Sequence, residues 1–193
     1  MPIVFASQNE HKVAEIRALL PKGWTLWSLN DLGWTEEIEE TGETLEENAQ
    51  IKAQRVFEVT GFPCFSDDSG LEVQALQGLP GVHSARYAGT EKNDRKNGEK
   101  LLQALAPYPN RSAQFRTVIA FVDAKGIHWF SGSVKGNIIH DFRGDQGFGY
   151  DPIFVPKGWD LTFAEVEKSV KNKISHRAIA FTKFIEYLTA VEK

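Results

Sequence analysis

The sequence predicts an α/β fold with a mixed, partly antiparallel sheet, and three observations predict it. The apolar run Ile3-Val4-Phe5-Ala6 gives way to a polar loop and then to Val13, Ile16, Leu19 and Leu20 at helical spacing, a strand followed by a helix. Two stretches rich in β-branched and aromatic residues, 115–122 and 127–139, flank Asp123-Ala124-Lys125-Gly126 as the arms of a hairpin. Helical patterns separate the other strands, with no linker, repeat or low-complexity segment between them. A chain of 193 residues holds a single domain (1–193) of two closely packed lobes and buries most of its apolar surface.

The remaining elements follow in order. Residues 26–29 read as a second strand. Thr44 and Glu47 form a capping-box pattern before a helix whose inner face carries Ala49, Ala53, Val56 and Phe57. Gly61-Phe62-Pro63 ends that helix, and residues 64–66 read as a strand whose end delivers the loop Asp67-Asp68-Ser69-Gly70. Leu79-Pro80-Gly81 is a turn, and residues 90–105 read as a helix packing Leu101, Leu102 and Leu105. Gly144, Gly147 and Gly149 place the approach to Tyr150-Asp151-Pro152 in a loop. Thr162 with Glu165 is a second capping-box pattern, and Ser175 caps a last helix with Ala178, Phe181, Ile185 and Leu188 on one face.

Composition narrows the function. A formal net charge of −4 argues against bulk attachment to DNA or RNA, so an anionic ligand needs local cations or a metal. The single cysteine, Cys64, cannot form an internal disulfide and reads as a small buried hydrophobe, in keeping with a reducing compartment. Residues 1–7 have no basic stretch and only a short apolar run, so the sequence predicts neither signal peptide nor membrane anchor and a cytoplasmic location.

Four segments have the chemistry of a site. The loop Ser7-Gln8-Asn9-Glu10-His11-Lys12 precedes a helix, where free N–H groups and the helix dipole favour an anion; equally, Ser7 and Asn9 can merely shape a turn with Lys12 in solvent. Asp67 and Asp68, with the acidic run 36–40, offer the oxygen donors that Mg²⁺ prefers, although acidic runs are commonly solvated faces. Phe148-Gly149-Tyr150-Asp151 combines rings for stacking with a carboxylate for a polar base edge. His176 and Arg177 at a helix start can donate to a carbonyl or a phosphate.

These segments occur together and in order, with Glu39-Glu40-Thr41-Gly42, Glu47-Asn48-Ala49, Gly78-Leu79-Pro80-Gly81, Ser84-Ala85-Arg86-Tyr87 and Ser175-His176-Arg177 between and after them. By this ordered set the sequence resembles the Ham1 or inosine triphosphate pyrophosphatase family, the non-canonical purine NTP pyrophosphatases. The resemblance implies a long twisted mixed β-sheet with flanking helices, two lobes around a central substrate cleft, and a homodimer. It implies hydrolysis of ITP, dITP and XTP to the monophosphate and pyrophosphate, by attack of water on the α-phosphorus. The residues Ser7, Gln8, Asn9, Glu10, His11 and Lys12 would contact the triphosphate; Glu39 and Asp68 would hold Mg²⁺, with Asp68 also the proton acceptor. Ser69, Phe148, Gly149, Tyr150, Asp151, Lys171, His176 and Arg177 would contact substrate, with Lys12 and Lys171 stabilising the departing pyrophosphate. Glu39 is preferred to its neighbour Glu40, and Lys171 to Lys173 because it lies five residues before His176 as in the family. Two rivals stay open: a Maf-like pyrophosphatase for pyrimidine or modified-nucleobase triphosphates, and a nucleotide sensor without turnover.

Overall fold

Strand β1 (Pro2–Phe5) is buried along nearly its whole length and runs parallel to two neighbours, β2 (Thr25–Ser28) and β3 (Cys64–Val73), with Val4 opposite Trp27 and Cys64. A parallel strand needs a crossover, and α1 (Glu10–Arg17) and α2 (Leu45–Thr60) supply the two required here. The structure, a computed structural model, describes residues 2–17 and 19–191, apart from the side chains of His11 and Glu15. Strands β4 (Ser112–Asp123) and β5 (Gly126–Ile138) are joined by a two-residue turn, and β6 (Phe154–Pro156) pairs antiparallel to β5. The sheet order is β2-β1-β3-β4-β5-β6, which is the mixed sheet the sequence predicts. Helices α3 (Asp94–Leu105), α4 (Lys168–Ile174) and α5 (His176–Val191) complete the chain.

Local signals act where the sequence places them. Thr44 and Glu47 make both halves of a capping box on α2, and Gly61 closes the helix in the left-handed conformation at φ 69°. The Ser175 hydroxyl accepts from Ala178 N at 3.2 Å and caps α5.

Four expectations are corrected. The sequence predicts a loop at Asp67-Asp68-Ser69-Gly70, but β3 continues through all four residues. Extended backbone survives there because the polar side chains find partners, and because Gly70 lets the strand approach Gly81: an added Cβ would lie 2.4 Å from the Gly81 carbonyl oxygen. Helix α3 begins at Asp94 rather than at 90, since Lys92 has a φ of 48° and the Asn93 side chain caps the helix by accepting from Lys96 N. The pair Thr162 and Glu165 forms a turn, not a helix start: the Thr162 hydroxyl donates to the Arg143 carbonyl at 3.0 Å instead of receiving the N–H of the third helical residue. Leu19, expected on the apolar face of the first helix with Val13 and Ile16, is exposed.

The chain forms two compact units. The first comprises Met1–Asp68, Val118–Ser131 and Ala180–Lys193, the second Ser69–Thr117 and Gly132–Ile179. The core of the first unit packs Phe5, Phe65, Phe121, Phe181 and Phe184 on one face of the sheet and Val4, Ala49, Ala53, Val56 and Cys64 on the other. Cys64 is free and fully buried as expected, and burial pushes its thiol pKa up. The second unit is built around Leu71, Leu101, Leu105, Phe115, Phe154 and Phe163. Among the described residues no helix is long and apolar enough to cross a membrane.

The Gly70 contact yields a direct test of the continuous strand. Gly70→Ala should destabilise the protein by about 1 to 3 kcal/mol, the usual cost of overpacking, read as a lower urea midpoint. An unchanged midpoint would mean that β3 and the Gly81 turn are not in contact.

Candidate active site

In the first unit the site begins where β1 ends. Ser7 Oγ accepts from Asn9 N at 3.2 Å, and Asn9 Oδ1 accepts from Lys12 N at 3.2 Å, so the two polar residues shape the turn and cap α1. Gln8 Nε2 donates to the Trp34 carbonyl, while Asn30 Nδ2 donates to the Gln8 carbonyl at 3.3 Å and to the Glu10 carboxylate. This fastens the loop to residues 30–34; the His11 side chain lies outside the described residues. Lys12 is no solvated surface residue: its Nζ donates to both carboxylate oxygens of Asp67 at 2.9 Å, and the Asp67 side chain is only 2% exposed.

The next residue of the strand, Asp68, meets a second lysine. Lys52 Nζ donates to the Asp67 carbonyl at 3.0 Å, forms an ion pair with Glu40, and lies 3.9 Å from Asp68 Oδ1. Burial of this amine works to lower its pKa, but the carboxylates of Asp68, Glu40 and Asp67 outweigh that effect and hold it above the ordinary lysine value. Glu39 is exposed, and Glu40 is the residue that shares Lys52 with Asp68. Among the described residues no three acidic, imidazole or thiol groups come together as a metal cage. Magnesium does not require one: it is commonly held by one or two carboxylates plus water and substrate phosphate oxygens, and Asp68 with a glutamate of the 39–40 pair offers that chemistry.

In the second unit the predicted base-binding loop is held tightly. Asp151 is buried, and its Oδ2 accepts from Phe148 N at 2.9 Å and pairs with Lys171 on α4. Burial raises the Asp151 pKa, and the attraction of Lys171 offsets this only in part, leaving it above the ordinary aspartate value. Gly147 has a φ of 78° and no room for a side chain, because a Cβ would lie 2.1 Å from Asp151 Oδ2. Tyr150 turns into the core, where its hydroxyl donates to the Ser84 carbonyl at 2.8 Å, which leaves Phe148, 62% exposed, as the accessible ring of the loop. Lys171 Nζ stands 4.8 Å from the centre of that ring. Lys173 is exposed, whereas the Lys171 side chain is 12% exposed. His176 is buried and stacks on Phe115 with ring centres 5.0 Å apart, Arg177 beside it is partly buried, and Ser69 Oγ lies 2.7 Å from Thr117 Oγ1.

The structure therefore gathers Lys12, Asp67, Asp68, Glu40 and Lys52 in the first unit, and Phe148, Asp151 and Lys171 in the second. Sequence reasoning missed Lys52, Thr117 and Asp94, whose carboxylate accepts from Gly149 N at 2.7 Å. Lys52 carried a signal: it stands on the stripe Leu45, Ala49, Ala53, Val56 that α2 buries, where a charge needs a partner.

The first unit thus presents two adjacent carboxylates, each met by a lysine, on a strand of a mixed α/β sheet. The chain belongs to the Ham1 family, whose family model matches residues 3–187. It is 51% identical over 189 residues to the dITP/XTP pyrophosphatase of Christiangramia forsetii, covering 98% of this chain and 100% of the relative. It is 45% identical to the dITP/XTP pyrophosphatase of Bacillus subtilis, covering 97% and 96%. Among solved structures it is similar to the Staphylococcus aureus Ham1 protein, with a TM-score of 0.95, 40% identity and complete coverage of both chains.

The ion pairs of Lys52 set a prediction for the ligand-free protein. Lys52→Met should destabilise it by about 1 to 3 kcal/mol in the presence of chelator, less than the about 3–5 kcal/mol of a fully buried pair because water reaches Glu40. Urea unfolding with an unchanged midpoint would contradict a structural role for this lysine.

Proposed function

We propose that this chain hydrolyses the non-canonical purine triphosphates ITP, dITP and XTP to the nucleoside monophosphate and pyrophosphate. The observation that carries the reading is the strand pair Asp67 and Asp68, each met by its own lysine, in a chain whose relatives bear the name dITP/XTP pyrophosphatase. The loop from Ser7 to Lys12 presents the backbone N–H groups and positive end of α1 to phosphate, with Asp67 holding the Lys12 ammonium in place. Asp68, with Glu39 or Glu40, is the set that would hold Mg²⁺, which when bound neutralises phosphate charge and makes water a better nucleophile. Asp68 accepts the proton of the attacking water, and Lys12 stabilises the charge that develops on pyrophosphate.

The second unit supplies groups for the base. Phe148 offers a stacking face, and Lys171, paired with Asp151 and beside the Phe148 ring, organises this loop and contacts substrate. His176 and Arg177 donate to the 6-carbonyl of hypoxanthine or xanthine, where adenine presents an amino donor instead. The protein acts in the cytoplasm as a homodimer.

Product analysis tests the reaction. Incubated with dITP, ITP or XTP, the protein should release the monophosphate and pyrophosphate, lose activity to chelator and regain it with Mg²⁺; release of the diphosphate and orthophosphate would overturn the reading. Asp68→Asn should lower kcat by about 100-fold or more with little change in the urea midpoint. Arg177→Ala should reduce the ratio of kcat/KM for ITP over ATP by about tenfold, the equivalent of about 1.4 kcal/mol, whereas Lys12→Ala weakens both substrates alike. An Arg177→Ala ratio equal to that of wild type would make this residue a phosphate contact or a structural one.

A further inference from the structure

The loop that carries Phe148 is tied down at three successive residues. Phe148 N donates to Asp151 Oδ2 at 2.9 Å, Gly149 N donates to Asp94 Oδ2 at 2.7 Å, and the Tyr150 hydroxyl donates to the Ser84 carbonyl at 2.8 Å. The first tie lies within the loop and the third holds a core side chain, so only the Asp94 contact fixes the backbone of the residue next to the exposed ring. That residue is glycine at φ 62°, with nothing within 4 Å of where its Cβ would stand. Neither a side chain nor crowding restricts it, and a glycine so placed is a swivel unless a hydrogen bond stops it.

Asp94 is suited to be that stop. It is the first residue of α3, and the capping of that helix is already done by Asn93, whose side chain accepts from Lys96 N at 2.9 Å. Its carboxylate is thus available to the loop, and the contact is short because the acceptor is charged. The helix beneath it is anchored in the core by Leu101 and Leu105, both fully buried, so the acceptor stands on a rigid element. Asp94 itself is exposed and fills no core volume. Its charge also reaches the loop, contributing to the raised pKa values of Asp151 and Tyr150.

We propose that Asp94 is a positioning residue for nucleobase recognition: by holding the Gly149 amide it presets the Phe148 ring for stacking. The proposal rests on the pyrophosphatase reading above. A ring held in place before the base arrives does not have to be ordered by binding, so the tether acts on substrate affinity and not on the reacting phosphate.

Kinetics of the full chain with dITP, together with amide exchange of residues 147–151 in the ligand-free protein, test it. Asp94→Ala should raise KM for dITP by about five- to tenfold with kcat within about twofold, and should speed exchange at Gly149; tenfold corresponds to about 1.4 kcal/mol. Inhibition by inorganic tripolyphosphate, which has no base, should not change. Asp94→Asn, which keeps an acceptor oxygen, should restore most of the affinity, and Glu99→Ala, which removes an exposed charge from the same helix, should leave KM as in wild type. An Asp94→Ala enzyme with unchanged KM overturns the proposal, as does tripolyphosphate inhibition that weakens in parallel, or an Asp94→Asn variant as impaired as Asp94→Ala. A wild-type protein inert toward dITP overturns the pyrophosphatase reading instead, and unchanged exchange at Gly149 in Asp94→Ala then overturns the tether on its own.

Discussion

Strand β3 carries two adjacent aspartates through the sheet, and Lys12 makes that possible. An aspartate that is 2% exposed is costly unless its charge is met, and Lys12 meets both oxygens of Asp67 from a helix 55 positions away in sequence. With Asp67 neutralised the backbone stays extended, and extended backbone sends the next side chain to the opposite face. Asp68 accordingly faces Lys52 and Glu40 rather than Lys12. One ion pair thus turns two neighbouring carboxylates to different partners, the first to Lys12 and the second to Lys52; in the proposed reaction it is the second that serves metal and proton.

The second unit solves another problem, which is to present one aromatic ring on a glycine-rich loop without leaving it loose. Asp151 folds back onto its own loop and is held by Lys171, Tyr150 is sunk into the core, and Gly149 is stopped by Asp94. Gly147 is needed because Asp151 occupies the place of its side chain. What remains outside is Phe148, with the Lys171 ammonium near its face.

Much of this was legible in the sequence wherever the signal is local. The Thr44 capping box, the Ser175 cap, the hairpin of β4 and β5 and the strand-then-helix start of the chain all follow from residues a few positions apart. The misreadings arise where a distant group decides. Asp67-Asp68-Ser69-Gly70 has turn composition, yet Lys12, Thr117 and the Gly81 carbonyl keep it in the sheet. Thr162 and Glu165 look like a cap, but the Thr162 hydroxyl is drawn to Arg143. Of the site, the resemblance pointed to Lys12, Asp68 and Phe148 by number, but no pattern told which ring of Phe148 and Tyr150 faces outward, since both stand in the same short loop. Lys52 could have been found as the charge on an otherwise apolar stripe, whereas Asp94 could not, because its partner is a backbone amide 55 residues on.

In the proposed reaction Asp67 and Asp68 serve the attack of water on the α-phosphorus of a purine triphosphate. Turnover of dITP in ¹⁸O-labelled water, with the products separated and weighed by mass spectrometry, tests it most directly. Attack at the α-phosphorus puts the label in the nucleoside monophosphate and none in pyrophosphate. Label in pyrophosphate would place the attack on the β-phosphorus and contradict the account.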